Sequence, residues 1–582
     1  MSLLRGSRAG RDARNSAWLF VVFAIVMSAG IGLREPWPAD EPRFALAARH
    51  MVESGNWSIP HRGQEIYAEK PPMFMWSQAA AYTLVGNWRI AFLLPSLLAA
   101  LGTLALVYDL TRRLYSRRTA QLTAGLLAST VHFGWVMRGA QIDPLVTFWI
   151  TLGTYAFARD ALVARDARWL ALGWFAAGLG IVTKGVGIVV LLMLLPIAFA
   201  RWRGWYGLAP LIATSTSRGR VWRWLAPFAL LGAFAIWPLP LLVQNVLQPT
   251  AELTAYLNEI LFRQTAERYA NAWHHHQPFW YYAQVVVFNW MPLALLLPWV
   301  LPAWWRRLRR HDARVFVPLV WIGLVFAFFT LSSGKREVYI LPALPMACVA
   351  LAPLLAGLWR RRGTQRSLFF AATTIAALLA VLGVAALLGH ARIVSRLAMY
   401  GSPALAWVPL SIGAGALIAA AWLRPRRGAW LWATTFALAW IVYGFVGYPL
   451  LDDARSARGV MRNAGTLIGP EAELGLVAWK EQNLLQADRR VTEFGFKRPA
   501  AAQRTLARAW QLRNPLLRWI LIDADDLGDC IDTTRTRVVG IANRREWRVL
   551  RSDAWRSGCS EPTTSSPRLR REGARRIPHA SS

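Results

Sequence analysis

The chain is predicted to be an α-helical polytopic membrane protein with interfacial helices in its first outer loop and a small α/β domain near its C-terminus. Three observations predict this class. Of 582 residues, 55% are apolar and 32 are tryptophan, with a positive mean hydropathy, so too little polar surface remains to cover a compact soluble globule. The apolar residues come in runs near the roughly 20 that a helix needs to cross a bilayer. The formal charge of +34 sits in short arginine clusters between those runs, a topogenic pattern rather than the basic face of a nucleic-acid binder.

The elements follow in order. Arg5, Arg8, Arg11 and Arg14 precede an apolar segment without a small-residue cleavage site, read as a retained first span. Spans are placed near 17–33, 88–110, 119–137, 144–158, 169–182, 185–200, 224–246, 279–303, 315–332, 338–358, 367–389, 404–423 and 429–450, about thirteen in all. Arginines recur at every second connection: 112–118, 159–168, 201–223, "RRLRRHDAR" at 306–314, "RRRGTQR" at 360–366 and "RPRR" at 424–427. Such loops resist translocation, so the N-terminus is expected in the cytoplasm and, after an odd number of spans, the C-terminus outside. The membrane part is taken as 1–450.

The other connections face outward and carry a different set of residues. Asp40, Glu41, Arg43, Glu69 and Lys70 lie in the first loop, Asp143 at the next exit, Lys184 in a tight turn, then His274 to His276, then "SSGKREVY" at 332–339 with Lys335 and Tyr339. Acids, bases and histidines on one face point to an outward-facing, partly membrane-embedded site. The first loop, 34–87, is too long for a plain connector. "EPRFALAARHMVESG" has Phe44, Leu46, Ala47 and Met51 at helical spacing and Gly55 as a stop, and "EKPPMFMWSQAAAYTLVG" reads alike. Both are expected to be amphipathic helices in the interface plane.

The residue types suggest group transfer from a phosphorylated lipid. A carboxylate just beyond a span can act as general base or orient an acceptor. Arginine suits bidentate phosphate contact and lysine supplies a point charge. The alternatives are lipid-headgroup binding for any single interfacial cation, and pairing with Arg138 for Asp143. "HHHQPFWYY" at 274–282 offers imidazole ligands for a divalent metal such as zinc, with Glu69 a second ligand. Its spacing is not that of a zinc motif, and an interfacial loop backed by an aromatic belt is the competing reading.

Beyond Tyr448 the hydropathy falls. Residues 451–560 alternate "LGLVAW", "RWILIDAD" and "RVVGIA" with polar helical stretches, a βα pattern for a small outer domain. Cys530 and Cys559 lie in it, where an outside location allows a disulfide. The Ser-, Pro- and Arg-rich tail 561–582 is expected to be disordered. The rival functional class is a transporter or flippase of a lipid-linked sugar. Transporters carry ionisable groups at mid-span and paired interrupted helices, whereas the charges here gather at the outer ends.

"ADEPRFALAARHMVESGNW" followed by "YAEKPPMFMW" resembles the first outer loop of the GT-C membrane glycosyltransferases related to protein O-mannosyltransferases, closest to the bacterial branch that includes the aminoarabinose transferase of lipid A. "QIDPLVTFW", "TKG" at 183–185, "HHHQPFWYY" and "GKREVYILPALP" at 334–345 are similar to further landmarks in the same order. The resemblance covers about residues 17–350 through these motifs.

It implies a GT-C fold and a polyprenyl (undecaprenyl) phosphate sugar donor. The acceptor would be an envelope component: lipid A, another glycan or a protein. It implies catalytic roles for Asp40, Glu41 and Asp143, donor-phosphate contacts for Arg43, Lys70, Lys335 and Tyr339, and a metal near Glu69 and His275. "Glu-Pro-Arg" after the aspartate and the charges of "GKREVY" depart from the commoner pattern, which leaves the sugar and acceptor open.

Overall fold

The computed structural model describes residues 16–210, 217–260, 277–332 and 334–559. The chain divides into two compact units, Met1–Arg62 with Ile66–Ser456, and Gly63–Glu65 with Ala457–Ser582.

The first unit is helical. Among the described residues, seven helices are long and apolar enough to cross a membrane, among them Trp88–Leu114, Ala313–Leu331, Ala343–Arg360 and Arg362–Leu387. Two bent pairs raise the number to nine: Phe228–Ala235 with Pro238–Leu247, bent by 55°, and Tyr281–Asn289 with Leu293–Arg309, bent by 110°. Prolines at 238 and 292 sit at these breaks, where they remove a backbone donor and clash with the preceding turn. Other predicted spans are shorter than a full crossing. The 119–137 run divides into Arg117–Ala128 and Val131–Met137, and Ala167–Thr183 falls below the length of a span; of the first apolar helix (α1) the described part is Ser16–Ser28. Apolar runs thus locate helices correctly while overstating their continuity.

The core of this unit is built from inward faces of the long helices, including Leu104, Val107, Ile150, Trp321 and Leu344. Trp321 is fully buried, and its indole N–H donates to the Val189 carbonyl at 2.9 Å, the partner a buried Trp requires.

The first loop carries two helices. Glu41–Ser54 (α2) ends at Gly55, whose φ of +72° is a left-handed cap that glycine adopts without strain. Met73–Val85 (α3) ends at Gly86 in the same way. The apolar stripe predicted for α2 is used in protein packing: Phe44, Leu46, Ala47 and Met51 are all buried, and Phe44 meets Phe74 of α3 edge to face at 5.5 Å. That stripe therefore faces neighbouring helices rather than lipid. Between α2 and α3 lie two short strands, β1 (His61–Arg62) and β2 (Glu65–Ile66).

The second unit contains a five-stranded sheet of β3 (Glu473–Val477), β4 (Val491–Glu493), β5 (Arg518–Asp523), β6 (Arg537–Ala542) and β7 (Arg545–Leu550), in the order β4-β3-β5-β7-β6. β3 runs parallel to β4 and β5, while β7 runs antiparallel to β5 and β6. Helix Ala500–Leu512 packs on β3 and β5. Cys530 and Cys559 form a disulfide with Cα atoms 5.5 Å apart, and Cys348 is a buried free thiol.

Candidate active site

Asp40 immediately precedes α2, whose first turn contains Pro42, so the carboxylate stands at the positive end of the helix. Arg43, one turn on, donates from Nη2 to Asp40 Oδ1 at 2.7 Å. Arg336, distant in sequence, donates from Nη2 to Asp40 Oδ2 at 3.4 Å. The second guanidinium nitrogen of Arg43 reaches Glu69 Oε2 at 3.2 Å, and Arg62 donates to Glu69 Oε1 at 3.2 Å. The first loop therefore folds back on itself through a chain of alternating charges.

A second pair stands at another helix start. Asp143 lies in the first turn of Ile142–Ala158, and Lys184, just after helix Ala167–Thr183, donates from Nζ to its Oδ1 at 2.7 Å. The same Nζ lies 4.8 Å from the centre of the Tyr339 ring, a cation–π contact. Arg336 links the two pairs electrostatically: burial opposes its charge, but Asp40 and then Asp143 outweigh that and hold the guanidinium more firmly protonated than usual.

Asp40, Glu69 and Asp143 are thus opposed by Arg43, Arg62, Arg336 and Lys184, with Lys335 adjacent to Arg336 in the chain. Cations exceed carboxylates, which biases the cluster toward an anionic ligand. Side chains of Arg43, Asp40 and Arg336 keep 21%, 20% and 34% exposure, enough for a ligand to reach them. Tyr67 is buried beneath Arg62, 5.5 Å from its ring centre. Burial pushes its phenol above the ordinary range, so it stays a neutral donor.

The remaining sequence candidates divide. Glu41 does not join the cluster. It is buried, paired with buried Arg34, and accepts the backbone N–H groups of Trp37 and Ala140, each at 2.8 Å. Its oxygens brace the loop against the 138–140 turn, accepting from two guanidinium nitrogens and two backbone N–H groups, whereas the sequence groups Glu41 with the catalytic candidates. Asp143 pairs with Lys184, while Arg138 donates instead to the carbonyls of Val26, Met27 and Ala29 at the end of α1. Lys335 Nζ donates to the Gln277 carbonyl at 3.2 Å, and Lys70 is half-buried.

The metal reading rests on Glu69 and His275. Both Glu69 oxygens are held by guanidiniums, and among the described residues no three His, Cys, Asp or Glu side chains group to hold an ion. His275 lies outside the described residues. Sequence reasoning assigned no role to Arg62, Lys184 or Arg336. Lys184 was visible as an outward charge, and Arg336 as part of a charged run, but their partners lie 41 and 296 residues away.

Comparison with known proteins extends this geometry. A family model described as dolichyl-phosphate-mannose-protein mannosyltransferase matches residues 69–215. The chain is 27% identical over 352 residues to the undecaprenyl phosphate-alpha-4-amino-4-deoxy-L-arabinose arabinosyl transferase of Pectobacterium carotovorum subsp. carotovorum (strain PC1), covering 59% of each chain. It is 30% identical over 337 residues to the transferase of the same name from Pseudomonas aeruginosa (strain LESB58), covering 56% of this chain and 57% of that one. The chain thus spans just under three-fifths of the length of these two curated relatives. Its fold is similar to that of ArnT from Cupriavidus metallidurans bound to undecaprenyl phosphate, with a TM-score of 0.69, 20% identity, and coverage of 92% of this chain and 98% of that one. The protein has the GT-C fold and is a multi-pass membrane protein.

Proposed function

We propose that this chain of GT-C fold is an integral-membrane glycosyltransferase that moves a sugar from a polyprenyl-phosphate donor to an envelope acceptor on the outer face of a bacterial inner membrane. The observation that carries the reading is the placement of Asp40 between Arg43 and Arg336, beside the separate Asp143–Lys184 pair. A carboxylate beside phosphate-binding cations is what transfer from a lipid phosphate requires. In this topology the N-terminus is cytoplasmic and the C-terminal unit periplasmic.

In the reaction, an acceptor oxygen bonds to the anomeric carbon while the bond from that carbon to the donor phosphate oxygen breaks. Polyprenyl phosphate leaves with the electron pair. A hydroxyl acceptor passes its proton to Asp40, whereas a phosphate acceptor is already anionic and Asp40 then orients it. Asp143 faces the positive charge that develops at the anomeric carbon. Arg43 and Arg336 turn from the carboxylates to the leaving phosphate, a planar bidentate match, and Lys70, Lys335 and Tyr339 complete the donor side. Glu41 holds the loop that carries Asp40.

The test is mass spectrometry of envelope glycolipids and glycoproteins from a deletion strain carrying the parent chain or Asp40→Asn. A sugar mass present with the parent and absent with the variant is expected. Equal products from two equally folded chains would remove Asp40 from the mechanism, and labelled sugar entering vesicles without covalent transfer would replace transfer by transport.

A further inference from the structure

Helices Ile142–Ala158 and Ala167–Thr183 pack side by side, with Asp143 and Lys184 at one end of the pair. The other end, roughly 25 Å away along one helix, carries a second charged cluster. There Ile142–Ala158 widens into a π turn, Arg159–Val163, a local distortion that is frequent at functional sites. The turn places Asp160 inside the protein, 3% exposed. The loop after it supplies Arg165, the end of the apolar helix Gly185–Trp202 supplies Arg201, and helix Ser217–Leu225 supplies Arg223.

Asp160 is fully occupied. Its Oδ1 accepts from Arg223 Nη2 at 2.5 Å and from the Asp166 N–H at 2.8 Å, and its Oδ2 accepts from Arg165 Nη1 at 3.1 Å and Arg223 Nη1 at 3.3 Å. Asp166 caps the next helix by accepting the Arg168 N–H. Among the described residues no carboxylate pairs with Arg201. The charges of Asp160 and Arg223 both act on it, yet its Nε and Nη2 are closed in without an acceptor.

The open donors are therefore Nη1 of Arg201 and Nη2 of Arg165, whose Nε is also closed in. Three guanidiniums around one carboxylate leave the cluster with excess positive charge, which an anion at the two open nitrogens would offset. Trp202, Trp222 and Trp224, chain neighbours of these arginines, are 78%, 56% and 78% exposed. On a membrane protein, exposed tryptophans gather at headgroup depth, so this is the level at which a lipid phosphate lies.

We propose that Arg165 and Arg201, backed by Arg223, form a site for the headgroup phosphate of an anionic phospholipid. The two open nitrogens meet phosphate oxygens, and the closed ones contribute charge alone. A zwitterionic headgroup brings its own cation and matches the excess charge less well. The site stands at the far end of the helix pair from Asp143 and goes beyond the transfer reading. It depends on the topology proposed above only for its leaflet, the cytoplasmic one.

The test is hydrogen exchange of the full chain in phosphatidylcholine nanodiscs, with and without an equal share of phosphatidylglycerol. The reporters are the Ala164 and Asp166 amides, which bond within the loop of the cluster. Phosphatidylglycerol is expected to slow both at least tenfold. Arg201→Gln, which leaves every donor to Asp160 in place, should abolish the slowing, whereas Arg203→Gln, at an exposed arginine two residues on, should keep it. No slowing in the parent, slowing retained in Arg201→Gln, or equal loss in both variants would overturn the site. Equal slowing by glycerol phosphate added to phosphatidylcholine discs would overturn the lipid and make a soluble phosphate the ligand. If Arg201→Gln fails to fold, the arginine-rich 112–118 loop of the parent decides: slowing confined to Ala164 and Asp166 supports the site, and equal slowing of both loops overturns it. The Asp40→Asn experiment probes the opposite end of these helices, so the two readings fail separately.

Discussion

Replacing Glu41 by Gln separates bracing from catalysis more sharply than any other single change. The Arg34 and Glu41 side chains keep only 3% and 8% of their exposure, and the carboxylate also accepts two backbone N–H groups. Glutamine keeps the size but offers one acceptor oxygen and two donors, so an N–H donor must face Arg34 or a backbone N–H. Breaking one partner of a buried pair typically costs about 3–5 kcal/mol because the other charge is left uncompensated. At about 1.4 kcal/mol per decade the folded-to-unfolded ratio falls roughly 140- to 3,700-fold. The assay is thermal unfolding in detergent beside transfer activity well below the melting temperature. A large drop in Tm with activity retained in the molecules still folded is expected, and the double change Arg34→Met with Glu41→Gln should recover part of the stability, since no buried charge is then uncompensated and the amide oxygen still accepts a backbone N–H. An unchanged Tm with activity abolished would refute the bracing role and return Glu41 to the chemistry.

Three further outcomes follow from the same contacts. Lys184→Gln removes the partner of Asp143 and should lower the transfer rate about 10²- to 10³-fold, as loss of one preorganised charge does; Lys184→Arg should recover part of it, and full activity in the Gln variant would remove the pair from the site. Cys530→Ser opens a disulfide spanning 29 residues and should destabilise the second unit by about 3–4 kcal/mol, measured by protease resistance of that unit, with no change counting against it. Burial, then the adjacent His61, holds His50 below its ordinary value of 6.5, so the unfolded chain takes that proton before the folded one. Stability from this group is present above pH 6.5 and falls as pH drops below it; His50→Gln should flatten the slope of Tm between pH 7.5 and 5.5, and an unchanged slope would assign it to other groups.

The helical class, the two first-loop helices with their glycine stops, and the strands of the C-terminal sheet were legible because each depends on local periodicity. "RWILIDAD" becomes β5 and "RVVGIA" lies within β6 for that reason. Continuity of the spans was less legible. A 110° bend at Met291–Pro292 or a break at Ser129–Thr130 changes one or two residues in a hydropathy window, yet decides whether a helix crosses. In the site, Asp40, Arg43 and Asp143 stood out as charges beside apolar runs. Lys184 and Arg336 were visible as outward charges, but their partners were not, since Asp143 and Asp40 are brought near them only by folding.

That difference also explains why two neighbouring acids take opposite roles. Asp40 and Glu41 are adjacent in the chain, and sequence alone treats them as one motif. At the start of α2, successive residues point about 100° apart, so one side chain turns toward the buried end of α1 and the other toward the open cluster. Glu41 meets donors that cannot leave: two backbone amides and an arginine stacked on Trp37 and Tyr448, 4.8 and 5.0 Å from their ring centres. Asp40 meets two guanidiniums that remain partly exposed and can exchange a carboxylate for a phosphate. A carboxylate whose partners are fixed serves as structure, and one whose partners can turn to a ligand is available for chemistry. Asp143, held by one partly exposed lysine, falls in the second class, and so Asp143→Asn should impair transfer while sparing stability, the reverse of Glu41→Gln; a fall in Tm as large as that of Glu41→Gln would place Asp143 among the structural acids.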